Sequence, residues 1–385
     1  DLILEMLMAG SVVSKYWGVY LNQFFELIGW NINTNIAIGS FNFDLAPVII
    51  VAFFTALLVM GTKIGARVDG ALTILKIAIV VFIVVVGFFY IKAENFTPFI
   101  PPSEPAASTD GSGVSAVMEQ PLWQWATGMA PSIYGVTGII SGAALVFFAF
   151  LGFDVVATAS EETINPKKNV PLGIGVGLGL IIVLYTLVAI VTTGMVSYKD
   201  LAKQSDPSLA VAFKMVGADW AAKIISLGIV IGMATVVMVL LLGLTRVVFA
   251  MSRDGLLPRG LSHTGKHGTP VRLQIIVGVV MALIAACCNV GILSDMVNIG
   301  TLSAFTLVAI SIPIMRKKRP DLERSFKIPG NPWVPILIAL ANLWLMVNLS
   351  VLTWIRFVVW LIVGFAIYFG YGYRHARLGA GELEV

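Results

Sequence analysis

The chain has 385 residues, 58% of them hydrophobic and 12% charged, with a mean hydropathy of +0.92. These values lie outside the soluble globular range and describe an integral membrane protein. The net charge of +4 and pI near 9.0 do not point to nucleic acid, because the basic residues sit in short loops between apolar runs, where they orient helices in the bilayer.

A membrane helix needs about 20 apolar residues, and ten runs of that kind follow one another at 2–28, 45–61, 70–92, 134–163, 171–196, 220–251, 272–291, 295–315, 333–350 and 354–373. Backbone exposed to lipid must bond to itself, and the runs lack the alternation of barrel strands, so they read as helices and the fold class is all-α. No stretch is long enough for a separate soluble domain. A single transmembrane domain over 1–385 is expected.

The first run opens as DLILEMLMAG, without an initiator Met, a lead-in or the charged n-region of a signal peptide. We expect further sequence before it. Glu5 lies inside this run and Lys76 inside the third, in GALTILKIAIVV. A buried lysine loses its proton when conditions change, but Lys76 is only about 9 Å along the helix from Gly70 and could equally snorkel. Glu5 poses the same choice. Residues 97–132, with PFIPPSEPAASTDGSG, read as a long flexible extracellular loop.

The fourth run contains LVFFAFLGFDVVATASEE at 145–162. At about 30 residues it exceeds a straight span, and it holds a glycine and a carboxylate near its middle. Transporters use discontinuous helices at the midplane, where unwound backbone frees N–H and C=O groups for charged substrate ends. Gly152 lacks a Cβ and permits such unwinding; it also fits simple close packing, as do Gly138 and Gly142 at GxxxG spacing. Asp154 argues for a pathway, since an ionisable residue within a span is costly, unless it is solvated near a helix end. Phe147, Phe148 and Phe150 are placed to close over a substrate or to serve as packing. Glu161 and Glu162 precede the NPKKN loop and read as solvated.

Further along, GIGVGLG at 173–179 lacks the strand and the Lys-Ser of a phosphate loop and reads as a helix-packing stripe. Residues 207–218 are too short to span and read as an outer amphipathic lid. Residues 251–270 are basic and broken by Gly and Pro, and are expected to cap the cytoplasmic face, with Arg246 snorkelling nearby. Cys287 and Cys288 are neighbours that cannot form a disulfide framework and read as small buried hydrophobes. His263, His267 and His375 lack metal-ligand spacing, so neither a metal site nor a cofactor is expected.

If the ten runs alternate, Lys63, Arg67, Lys167, Lys168, Arg253, Arg259, Lys266, Arg272, the RKKR run at 316–319, Arg324, Lys327, Arg374 and Arg377 share one side. The opposite loops hold fewer basic residues, which puts the first group and both chain ends in the cytoplasm.

FFAFLGFDVVATASEETINPKKNVPLGI at 147–174, SRDGLLP at 252–258 and NIGTLSAF at 298–305 together closely resemble amino acid permeases of the amino acid-polyamine-organocation (APC) superfamily. The nearest branch is that of the cationic amino acid transporters and their bacterial relatives. The resemblance runs through nearly the whole chain. It implies the LeuT-like fold, with two inverted repeats of five helices followed by two more. On this chain it makes 1–92 the remainder of the first repeat (family helices 3 to 5), 134–315 the second (helices 6 to 10) and 333–373 the final pair. Family helices 1 and 2 would then be absent, and with them half of the expected site.

The resemblance also implies roles. Phe148, Ala149, Phe150, Leu151, Gly152 and Phe153 form the break that meets the substrate amino group, with Phe148 as the gating aromatic. Met238, Leu240 and Leu241 are wall positions, whose apolar character favours small neutral L-amino acids. Lys76, Glu5 and Asp154 are candidates for proton coupling. The implied function is a secondary transporter of L-amino acids in the plasma membrane, working by alternating access with protons and substrate as its ligands. The rivals are an amino acid or polyamine exchanger without proton coupling and a membrane sensor that binds without transport. A membrane enzyme is disfavoured, because no nucleophile, base and oxyanion donors cluster in the sequence.

Overall fold

In the computed structural model, the residues described are 2–30, 32, 34–38, 41–61, 66–105, 114–130, 132–153, 163–204, 207–263, 270–321, 324 and 326–375. Asp154, Glu161, Glu162, Lys63, Lys266 and His267 lie outside them. Helix α1 (Leu2–Leu27) leads through an antiparallel hairpin, β1 (Asn35–Ile38) and β2 (Phe41–Asp44), into α2 (Leu45–Val59) and α3 (Ala66–Phe88). A connection containing β3 (Glu104–Pro105), α4 (Val114–Glu119), α5 (Leu122–Thr127) and β4 (Ser132–Ile133) precedes α6 (Gly135–Val146). Then come α7 (Pro166–Met195), the short α8 (Tyr198–Ala202) and α9 (Leu209–Met215), and α10 (Asp219–Arg253). The chain closes with α11 (Val271–Cys287), α12 (Val290–Lys318), α13 (Trp333–Val347) and α14 (Val351–Ile367).

By length and composition, α1, α3, α7, α10, α12 and α14 can each cross a membrane, and α2, α6, α11 and α13 are shorter apolar helices. All ten lie over the runs expected from hydropathy. Their boundaries have local causes. Asp44 caps α2 by accepting from the Ala46 amide at 3.2 Å, Asn289 caps α12 through the Gly291 amide at 2.8 Å, and Ser350 caps α14 through Thr353 at 3.2 Å. Each side-chain oxygen satisfies one amide that the first turn leaves without a helical partner.

The densest packing joins α1, α2, α10 and α11. Met6 of α1, Ile50, Val51 and Phe54 of α2, Val237, Leu241 and Leu244 of α10, and Leu273, Val277 and Met281 of α11 form one buried cluster. Glycines set these approaches. A Cβ on Gly278 of α11 would overlap Thr55 of α2, and one on Gly228 of α10 would overlap Ile79 of α3. A second cluster, on the side that the loop charges assign as outer, gathers α3, α7, α9 and α10 around the fully buried Phe213. A third joins Ala144 of α6 to Ile299 and Leu302 of α12, Met346 of α13 and Phe357 of α14.

Three expectations change. The 97–132 connection is not an open loop where it is described: Leu122 donates to Leu349 at 3.0 Å and Val351 to Gln120 at 3.1 Å, stitching α4 and α5 to the α13–α14 turn. The 207–218 segment holds the short helix α9, which buries Ala210, Ala212 and Phe213 against its neighbours and leaves Lys214 and Met215 exposed, an amphipathic pattern. The glycines at 173, 175, 177 and 179 have open space where a Cβ would stand, so the stripe carries no close helix contact among the described residues; the same holds at Gly142. Cys287 is exposed and Cys288 half-buried, since α11 ends there.

Candidate functional site

The run from 134 to 163 does not form one straight helix. Regular α geometry stops at Val146, residues Phe147–Phe150 wind as a tighter 3-10 turn, Leu151 is extended at φ −64° and ψ 150°, and Gly152 has φ +110°. That last value lies where an L side chain is strained and glycine is not. Among the described residues nothing stands within 4 Å of a Cβ built on it, so there the glycine serves conformation rather than packing.

Two side chains from other helices meet the carbonyls at this interruption. Asn298 of α12 donates through Nδ2 to the Leu145 carbonyl at 3.1 Å, and the Tyr185 hydroxyl of α7 donates to the Ala149 carbonyl at 3.0 Å. A carbonyl oxygen has two lone pairs, so Ala149 keeps one acceptor site beyond the tyrosine. Rings frame the same segment. Phe305 of α12 lies 6.1 Å from Phe147 and 5.2 Å from Phe153, and Phe150 meets Tyr185 edge-on at 5.4 Å. Phe148, Phe150, Leu151, Gly152 and Phe153 are half-buried, and Ala149 is exposed.

The other candidate residues sit around the scaffold. Met238 and Leu241 face its core, with Leu241 fully buried, and Leu240 lies against Gly10 of α1. The described part of the broken helix packs on α12 and α13. Lys76 is half-buried with its methylenes over Gly232 of α10, where a Cβ would approach its Cγ to 3.3 Å. Glu5 is 3% exposed in the first turns of α1, beside Leu4, which itself reaches toward Gly300 of α12. Burial of this depth does not fit a snorkelling side chain.

Asn298, Tyr185 and Phe305 are functional candidates that reading the sequence passed over. Asn298 and Phe305 lie at the two ends of NIGTLSAF, and their spacing of seven residues, two helical turns, puts both on one face. Lys15 of α1 was also passed over; it donates from mid-helix to the Cys288 carbonyl at 2.6 Å, satisfying the end of α11.

The entrance to α6 is clasped. Lys199 of α8 pairs with Glu104 at 2.7 Å and lies 5.6 Å from the Tyr134 ring, and the Glu104 carboxylate holds its ammonium above the usual lysine range. Two cavities lie away from the break. One of about 540 Å³ is bordered by Tyr90, Lys92, Glu94 and Asp200, and one of about 480 Å³ forms an apolar groove between α2 and α11. Among the described residues no group of His, Cys, Asp or Glu is arranged to hold a metal.

The model of an amino acid permease family matches residues 6–370. The branched-chain amino acid permease BcaP of Bacillus subtilis (strain 168) is 39% identical over 388 residues, covering 98% of this chain and 76% of the relative. The methylthioribose transporter of the same organism is 38% identical over 386 residues, with the same coverage. Cationic amino acid transporter 4 of Homo sapiens is 26% identical over 510 residues, covering all of this chain and 75% of the relative. These relatives are transporters and permeases rather than enzymes. An apolar all-α chain with a helix interrupted beside Gly152, matched over nearly its whole length, belongs to the amino acid permease family of the APC superfamily and is a multi-pass membrane protein.

Proposed function

We propose that the protein carries neutral L-amino acids, aliphatic ones included, across the plasma membrane by alternating access, with both chain ends in the cytoplasm. The interrupted helix at Leu151–Gly152 is the observation that carries this reading, because peptide groups released from helical pairing offer fixed dipoles to a zwitterion. Two relatives in different bacteria, in Bacillus subtilis at 39% and Lactococcus lactis at 29% identity, are named branched-chain amino acid permeases, which supports an apolar side-chain preference. Substrate meets the break from Phe148 to Phe153, with Met238, Leu240 and Leu241 as the apolar wall.

Uptake into proteoliposomes tests it. Leucine, isoleucine, valine and alanine should accumulate and compete with one another, while arginine should compete weakly. Absence of flux with retained binding would replace the carrier by a sensor. The near-equal identity to a methylthioribose transporter supports a second reading, in which the cargo is a thioether sugar; competition by methylthioribose alone would favour it.

Lys76 is the proposed proton site, with Glu5 and Asp154 as further candidates. Its stem lies against α10, so a change in its charge acts on the α3–α10 contact, and only differential stabilisation of inward and outward forms shifts their balance. Lys76→Ala should abolish pH-dependent uptake. Unchanged pH dependence would reject the role and favour a proton-independent exchanger, for which uptake requires internal substrate.

A further inference from the structure

We propose that Asn298 is a positioning residue for the break, holding the end of α6 in its interrupted geometry from α12. Leu145 is in the last turn of α6, where its carbonyl has a lone pair to spare beyond the Phe147 amide it accepts. Elsewhere water would satisfy such a group. The neighbouring cluster of Ala144, Ile299, Leu302, Met346 and Phe357 is apolar, and hydrocarbon offers no hydrogen-bond partner. Asn298 is 0% exposed, so its own burial is costly unless its amide is bonded. The 3.1 Å bond satisfies Nδ2 and that lone pair together, while Oδ1 has no hydrogen-bond partner among the described residues.

The orientation of the amide follows from the same contact. Turning it over would set Oδ1 against the Leu145 oxygen, acceptor against acceptor. Two turns further along the same face, Phe305 touches Phe147 on one side of the break and Phe153 on the other. Helix α12 thus grips the interrupted segment twice, by a hydrogen bond before it and by a ring across it. The Tyr185 bond to Ala149 is a separate contact from α7, which lets the two be tested apart.

The consequence for transport rests on the permease reading, but the structural claim does not. Amide hydrogen exchange of the full-length protein in detergent reads it directly. Asn298→Leu, similar in shape but without the donor, should speed exchange at residues 144–153 by roughly tenfold, the worth of one hydrogen bond, and leave α1, α2, α10 and α11 unchanged. Tyr185→Phe should affect the amides after Ala149 and spare those before it. A carboxylic acid sealed from water stays protonated at neutral pH and donates through its O–H. Asn298→Asp, compared with wild type at each pH, should therefore exchange like wild type in acid and approach Asn298→Leu in alkali. In proteoliposomes the substrate KM should rise for Asn298→Leu with little change in maximal rate. Unaltered exchange at 144–153, or an equal rise over the whole protein, overturns the proposal. A wild-type protein without flux would overturn the permease reading and leave the exchange result standing.

Discussion

The four-helix scaffold and the broken helix with its neighbour α7 are all apolar in sequence but are held in different ways. Half of the most apolar stretch of α1 (50%) is buried inside the protein, against 6% for α7. Within the scaffold, glycines bring backbones together and side chains interlock, as at Gly278 against Thr55 and Gly10 against Met281. Around the break, the described residues add directed contacts to the apolar cluster at Ala144: one asparagine, one tyrosine and the ring of Phe305. A segment fixed by a handful of hydrogen bonds changes shape at low cost, whereas one fixed by interdigitated cores is rigid. The arrangement suits a carrier in which the α6 segment moves against a fixed frame.

Substitutions that treat the two regions alike would break this comparison. The largest effect is expected at Gly278→Leu, where a side chain must displace Thr55 and separate α2 from α11. Overpacking of this kind costs about 1–3 kcal/mol, and more where backbone must shift, and it should appear as a marked fall in thermal stability in detergent. An unchanged melting temperature would mean that the frame is not rigid.

Gly177→Ala on α7 should act in the opposite direction. No atom stands within 4 Å of the new Cβ, so the gain in helix propensity of about 0.8–1.0 kcal/mol is not opposed by a clash. A higher melting temperature is the expected result, and destabilisation would reveal a contact on that face.

The smallest effect concerns the edge of the scaffold. Burial pushes the Asp44 carboxyl above the usual carboxylate range, against the opposing pull of the Ala46 amide and Lys15. A carboxyl with a raised folded-state value stabilises most when protonated, and that contribution is lost as pH rises through the folded-state value. Asn caps helices as well as Asp does. Asp44→Asn should therefore give a small rise in stability at neutral pH that disappears in acid, checked by thermal unfolding at two pH values.

Two GxxxG spacings show where sequence reading stops. GIISG at 138–142 and GIVIG at 228–232 look alike as strings. Only the second makes close contacts: Gly228 meets Ile79 and Gly232 meets Lys76, whereas Gly142 has open space. The pattern states that close approach is permitted and cannot state which helix arrives. The same limit explains the glycines of 173–179, which permit a contact that the fold does not make. It also explains Asn298, whose partner is 153 residues away in the chain. By contrast, the interruption at Gly152 was legible because its cause, a residue without a Cβ inside an overlong apolar run, is local.

Local composition by itself determined that the chain crosses a bilayer as helices, where each apolar run lies, and which of them holds a residue that permits a break, because hydrophobic transfer and backbone freedom act on a few adjacent residues. Only the tertiary structure decided which helices form the frame, that Glu5 is buried, and that α12 reaches the break through Asn298 and Phe305, since those outcomes depend on groups far apart in sequence meeting where water is absent.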